Sequence, residues 1–308
     1  MNICIAGKNN IAIDVCRYVV EHYPQANVYG VVNRNETEED GWQKSYLKYI
    51  QSEPKVILST MEQMYEIEDL VFLSTEFDRI IRPHLFKTNQ LYNIHFSLLP
   101  AYKGVYPSVW PILNGEEYAG VTLHKMDQGI DTGDIIAQKR FKLSSKETSF
   151  SLYTKLIAEG TKLVVKHIDS IITNRYNAYP QPAIGSTYYS KKSIDYANLT
   201  IDLNVTATQL DRQIRAFYFP VYQVAQVYGH EISRTKITTE KSVVKPGSII
   251  ENSSKWLKLS TIDYNILLCK KSDVVEEKNT ANARVLRGGG VIRPIIVELT
   301  AQRRALAA

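Results

Sequence analysis

Asn93 and His95 stand two residues apart in NIHFSLLP, and Asp131 follows later in the chain within DQGIDTGD. Side chains on an extended strand alternate faces, so residues i and i+2 project together. Leu91, Tyr92, Ile94 and Phe96 around them read as a short buried strand, and residues 97–104 carry the Pro and Gly of a loop. Asp131 lies between Gly129 and Gly133, in a turn that must bend sharply. An amide, an imidazole and a carboxylate brought together can orient a carbonyl, move a proton and hold the imidazole in one tautomer. That combination suits acyl transfer. Taken singly, each residue has a plainer reading: a histidine closing an apolar strand is usually a satisfied core group, and an aspartate between glycines a turn residue.

The elements that must position these groups follow from the hydrophobic period. Residues 2–6, 28–32, 55–58 and 70–73 are strand-like, while residues 11–22 and 43–50 carry helical spacing. This alternation predicts an α/β fold, a Rossmann-like mostly parallel sheet flanked by helices. Residues 150–172 read as one long amphipathic helix. Gly7-Lys8-Asn9-Asn10 occupies the place of a dinucleotide-binding turn but lacks the triple-glycine fingerprint, which disfavours a nicotinamide cofactor. After the Pro- and Tyr-rich NAYPQPAIGSTYYSKKS come a helix-like TATQLDRQIRAFYF and the segment FPVYQ. From Tyr228 onward, short β-prone runs at 231–237, 248–251, 256–259 and 264–269 predict a small antiparallel sheet or barrel. The expected division is a catalytic domain over 1–229 and a C-terminal β-rich module over 230–308, within which Arg287-Gly288-Gly289-Gly290 reads as a joint and VIRPIIVEL as one more strand.

The 308 residues are 44% hydrophobic and 22% charged, as in a folded globular protein. The net charge of +5 is uneven: residues 230–308 hold 14 Lys and Arg against 8 Asp and Glu. Those charges are scattered among strand-like runs with no basic block, so a solvated surface is expected rather than a nucleic-acid partner. No apolar run approaches the roughly 20 residues that cross a bilayer, so no membrane partner is expected. The start, MNICIAGKNNIAI, lacks the basic segment and cleavage site of a signal peptide. Cys4, Cys16 and Cys269 are odd in number and lack metal-ligand spacing, which points to reduced thiols, a cytoplasmic protein and no metal.

The stretch LYNIHFSLLPAYKGVYPSVWPILNGEEYAGVTLHKMDQGIDTGDIIAQ resembles the core of the formyltetrahydrofolate-dependent formyltransferases. The Asn, the His, the SLLP turn, a GVTLH strand and DTGDII stand in the family's order. The resemblance implies 10-formyltetrahydrofolate as co-substrate and an amine as acceptor. Carried over, Asn93 would donate its amide to the developing oxyanion, His95 would shuttle the proton, and Asp131 would orient His95 or draw the amine proton through a water. The pterin is expected against Phe77, Ile81, Gly129, Ile130 and Gly133.

Three branches of the family differ in the acceptor. Methionyl-tRNA formyltransferases typically begin with a phenylalanine–glycine–threonine turn and carry an arginine–glycine pair after SLLP, where this chain has IAGKNN and Tyr102-Lys103-Gly104. Phosphoribosylglycinamide formyltransferases are usually shorter and have a phosphate-binding glycine turn that is missing here. GKNNIA, KKSIDYANLTIDLN and IRAFYFPVYQ look like the third branch, which formylates amino sugars linked to a nucleoside diphosphate. The resemblance thus implies a dTDP-linked amino-dideoxyhexose, 4-amino-4,6-dideoxy rather than 3-amino-3,6-dideoxy, for cell-surface glycan (O-antigen) synthesis. Tyr218, Phe219 and Tyr222 are expected to stack on the base, Gln223 to pair with a pyrimidine edge and Arg215 to bridge the pyrophosphate. Lys8, Asn9, Tyr102, Lys103 and Trp110 are expected to border the sugar. The C-terminal module is expected to make a homodimer contact. Methionyl-tRNA formylation is the alternative, and a non-catalytic folate or nucleotide-sugar binder a distant third.

Overall fold

The N-terminal apolar run forms β1 (Asn2–Gly7), buried from its second residue onward, followed by α1 (Asn9–His22), which buries Ile11, Val15, Cys16 and Val19. The computed structural model describes residues 1–271. The chain continues through β2 (Asn27–Val32), α2 (Tyr46–Ser52), β3 (Val56–Leu58), α3 (Met61–Tyr65), β4 (Leu70–Thr75) and β5 (Leu91–His95). The helix expected over 43–50 begins at Tyr46 because Ser45 caps it, its hydroxyl accepting from the Lys48 N–H at 3.1 Å. Next come β6 (Lys103–Gly104), α4 (Trp110–Asn114), β7 (Tyr118–Lys125), β8 (Ile135–Lys142) and α5 (Ser149–Ile172). Thr148 and Ser151 cap α5 reciprocally.

One seven-stranded sheet runs β3-β2-β1-β4-β5-β7-β8. The pairs β1/β2, β2/β3, β1/β4 and β4/β5 are parallel, whereas β7 and β8 add antiparallel at one edge. The chain starts in the middle at β1, moves outward through β2 and β3, and returns to place β4 on the other side of β1. That reversal between β1 and β4 opens a crevice at the carboxyl ends of the strands.

The remaining elements are β9 (Tyr188–Tyr189), α6 (Ala207–Ala216), β10 (Gln226–Val227), β11 (His230–Lys241), β12 (Ile249–Asn252), β13 (Trp256–Leu259) and β14 (Tyr264–Lys270). The last five strands form an antiparallel sheet of order β10-β11-β14-β13-β12. Its inner residues Ile232, Leu257, Leu259, Ile266 and Leu268 share one apolar cluster with Leu210 and Ile214 of α6 and with the core of the larger sheet. The division expected at residue 229 therefore falls inside a shared core, and the compact unit runs Met1–Lys271. Residues 287–290 and VIRPIIVEL lie outside the described residues. The Pro- and Tyr-rich connector is not a passive linker. Its β9 pairs in parallel with β6, pinning the loop that follows SLLP.

Candidate active site

Asn93 and His95 close β5, and the antiparallel register sets Asn93 opposite His124 and His95 opposite Thr122 of β7. Asp131 reaches this strand end from the β7–β8 turn in a left-handed conformation, φ 55°. Its Oδ2 accepts the Gly104 N–H at 2.9 Å and stands 3.5 Å from His95 Nδ1; its Oδ1 accepts from Asn93 Nδ2 at 3.3 Å. Gln181 holds the turn from outside, donating to the Asp131 and Gly133 carbonyls at 2.8 Å each. The three residues singled out in the sequence thus meet at one point.

The hydrogen bonds decide the imidazole states. His95 Nε2 donates to the Tyr102 carbonyl at 2.8 Å, which leaves Nδ1 as the ring's free base, facing Asp131. His124 is almost wholly buried, and desolvation pushes its imidazole down to about 4 against the opposing pull of Asp131. Its Nδ1 donates to the Lys125 carbonyl at 2.7 Å, so Nε2 is an acceptor and takes an Asn93 amide hydrogen at 3.1 Å. This bond settles which way the Asn93 amide points. Both Asn93 N–H groups are engaged, by His124 and Asp131, so donation to an oxyanion requires release of the longer bond to Asp131.

A cavity of about 880 Å³ opens beside these groups. One wall is apolar, made by Met61, Tyr65, Phe77, Ile81, Met126 and Ile130, and Gly129 adds its backbone. Gly133, expected on this wall, stands outside it because its backbone packs on β7: a Cβ there would meet the Lys125 carbonyl oxygen at 1.9 Å. Gly104 has φ 90°, and a Cβ would meet the Tyr189 carbonyl at 2.1 Å, so the residue that holds Asp131 must be glycine.

The other expected contacts divide. Lys8 follows β1 and donates its N–H to the Thr75 carbonyl at 3.3 Å, and Asn9 reaches the Tyr153 hydroxyl at 3.4 Å. Tyr102 meets the site through its carbonyl, while its ring is buried and its hydroxyl donates to Glu116 at 2.6 Å. Lys103 extends to Ser186 Oγ at 3.2 Å. Trp110 is core: its Nε1 donates to the Val105 carbonyl at 2.9 Å and its ring stacks on Tyr189 at 3.9 Å. Arg215 is committed within the fold as well, with Nε on Asp211 and Nη1 on the Glu147 carbonyl, both at 2.8 Å. Tyr218 is half-buried and caps the start of α5 with its carbonyl, and Gln223 pairs its backbone with Phe219. Tyr222 is 69% exposed and stacks on Phe219.

Sequence reasoning missed His124, Glu76, Trp42 and Tyr153. The period-2 alternation of GVTLHK would have put Thr122 and His124 on one face, but nothing local marked Glu76. Trp42 touches Phe150, Tyr153, Phe219 and Tyr222, forming a half-open aromatic surface. Tyr153 joins that surface to the cavity, since its hydroxyl donates to the Glu76 carboxylate.

Residues 21–168 match the formyl transferase family. The N-formyltransferase of Helicobacter canadensis, solved with folinic acid and dTDP-3-aminofucose, is 38% identical, with a TM-score of 0.80 over 87% of this chain and 99% of its own. The chain belongs to the formyltransferase family. WlaRD, a sugar 3N-formyl transferase solved in the presence of dTDP and 5-N-formyl-THF, is 37% identical with a TM-score of 0.81, covering 89% of this chain and 99% of its own. The methionyl-tRNA formyltransferase of Lachnospira eligens is 33% identical over 165 residues, 51% of this chain. The chain spans about half the length of that curated relative, 52%. As in the expectation from sequence, this family member has a mostly parallel, helix-flanked sheet followed by an antiparallel β-rich sheet.

Proposed function

We propose that this protein transfers a formyl group from 10-formyltetrahydrofolate to the amine of a nucleotide-linked amino-dideoxyhexose. The observation that carries the proposal is the convergence of Asn93, His95 and Asp131 on a cavity whose one wall is apolar and whose other side leads to an aromatic surface. The apolar wall fits a flat pterin, and the half-open surface of Trp42 and Tyr222 fits a nucleobase. The folate supplies a formyl group already at the oxidation level of the product, so the chemistry left to the protein is proton transfer and charge stabilisation.

His95 Nδ1 takes the proton that the attacking amine must lose, and the imidazolium so formed is held between the Tyr102 carbonyl and the Asp131 carboxylate. As the new N–C bond forms, the Asn93 amide turns one N–H from Asp131 to the formyl oxygen while His124 keeps the other. The proton on His95 then passes to the folate nitrogen as its bond to the formyl carbon breaks. Asp131 keeps its place throughout, its Oδ2 accepting the Gly104 N–H.

Within this reading, support moves from an amine on carbon 4 to one on carbon 3. Two solved structures more than a third identical to this chain, one holding dTDP-3-aminofucose and the other a sugar 3N-formyl transferase, are each matched over 99% of their length. Methionyl-tRNA formylation is supported by partial matches, which cover 52% of one such relative and 66% of another. The product would enter cell-surface glycan synthesis. Formyl transfer to a panel of dTDP-linked 3-amino and 4-amino dideoxyhexoses, with methionyl-tRNA alongside and His95→Asn as control, tests the proposal. Turnover on a 3-amino sugar, lost in the variant, supports it; turnover on the tRNA alone overturns the acceptor.

A further inference from the structure

We propose that Glu76 reads the acceptor: its carboxylate accepts a hydrogen bond from the ring hydroxyl beside the reacting amine and so fixes which carbon faces the formyl group. The inference rests on the amino-sugar reading above. Glu76 directly follows β4, across the crevice from Lys8 and Asn9 after β1, at the reversal of strand order. It lines the same cavity as Asn93 and His95, and the strand ends are in register, with Ser74 opposite Asn93 and Thr75 opposite Ile94.

Two features argue that this side chain is aimed at a ligand. First, its backbone is left-handed, φ 63°, a conformation that glycine or asparagine adopts far more easily than glutamate. Asn9, Tyr102, Tyr106 and Asp131, in the segments around the site, share that conformation, so five of the seven such non-glycine residues among those described gather here. Asn33 steadies the strained backbone by donating to the Glu76 carbonyl at 3.1 Å. Second, the carboxylate is held but not used up. The Tyr153 hydroxyl stands 2.6 and 2.7 Å from its two oxygens and has one proton to give, while an ionised carboxylate offers about four acceptor positions. Burial raises the carboxyl group's affinity for a proton, and Lys8, Tyr153 and Asn9 oppose it.

The occupant follows from these neighbours. Lys8, whose N–H bonds the Thr75 carbonyl next to Glu76, brings a cation to the neighbouring strand end and favours the charged carboxylate, so a neutral donor such as a hydroxyl fits better than a second cation. Tyr153 packs with Trp42 and Phe219 and joins one apolar cluster, whereas Phe77 and Ile81 pack on the other, which assigns Glu76 to the acceptor rather than to the folate.

The test measures kcat and KM for each substrate in Glu76→Leu, Glu76→Gln and Tyr153→Phe, using an amino sugar and its analogue lacking the neighbouring hydroxyl. Glu76→Leu is expected to raise the acceptor KM at least tenfold and leave the donor KM within twofold. Glu76→Gln, which keeps one acceptor oxygen, is expected to recover most of that loss. Tyr153→Phe, which releases the carboxylate, is expected to raise the acceptor KM threefold or more. The analogue is expected to be used equally well by the unsubstituted protein and Glu76→Leu. An unchanged acceptor KM in all three variants, or an equal loss with both acceptors, overturns this inference alone. No turnover of any amino sugar by the unsubstituted protein removes the functional reading and this inference with it. Should Glu76→Leu fail to fold, the other two variants decide by the same criterion.

Discussion

Replacing Asp131 by Asn removes one charge while keeping the side chain's shape. His95 Nδ1 stands 3.5 Å from Asp131 Oδ2, with side-chain exposures of 7% and 12%. At an effective dielectric of about 20, unit charges at that distance attract by about 5 kcal/mol. The attraction exists only once His95 is protonated, so its loss falls on the transition state rather than on substrate binding. Solvent and small relaxations recover part of it, leaving about 3–4 kcal/mol, or a fall in kcat of roughly 10²–10³-fold. The hydrogen bonds point the same way. If the new amide offers its oxygen to the Gly104 N–H, its NH₂ meets the Asn93 NH₂, two donors facing each other. The assay is steady-state formyl transfer with both substrates varied, with thermal melting to show that the fold survives. A kcat within tenfold of the unsubstituted protein, in a folded Asp131→Asn variant, would refute the electrostatic role given to Asp131.

Other outcomes follow from the same geometry. His124 takes its proton only near pH 4 when folded but near 6.5 when unfolded, so the unfolded chain binds more protons between those values. Stability is then complete above about pH 6.5 and falls by about 3 kcal/mol as the pH drops towards 4; urea unfolding across that range should show a slope that His124→Gln flattens. Arg215→Met should lower stability by about 1–3 kcal/mol through the loss of its bonds to Asp211 and Glu147, leaving the nucleotide-sugar KM unchanged. Tyr222→Ala, at an exposed stacking position, should raise that KM about tenfold with little change in melting temperature. A rise in KM for Arg215→Met would restore the pyrophosphate role expected from sequence.

Much of the architecture was legible because it follows from local pattern. The runs at 2–6, 28–32 and 70–73 became β1, β2 and β4, and the helix expected over 150–172 became α5 with one residue added at its start. Burial on both faces leaves near-continuous apolar strands, and such strands separated by helical spacing admit few arrangements other than a parallel sheet. The aromatic and basic residues near 215–223 were harder to assign. Arg215 and Tyr222 are both conspicuous in IRAFYFPVYQ, yet one is tied to Asp211 and Glu147 and the other stands exposed on Phe219. Residue type is the same for a buried pair and a ligand contact. The partner across the fold separates them.

The sequence by itself determined that an amide and an imidazole share one face at the end of a strand, and that an aspartate in a tight turn could join them. Period-2 geometry and the chemistry of the side chains suffice for that. Only the tertiary structure decided which atoms do the work. The β5–β7 register brings His124 to Asn93 and sets the direction of its amide, the Tyr102 carbonyl chooses the His95 tautomer, and the β6–β9 ladder steadies the loop whose Gly104 holds Asp131. Pairing β1 with β4 likewise brings Lys8 and Asn9 beside Glu76, a cavity residue far from them in the chain. These contacts join distant segments through the packing of a sheet, and no local spacing encodes them.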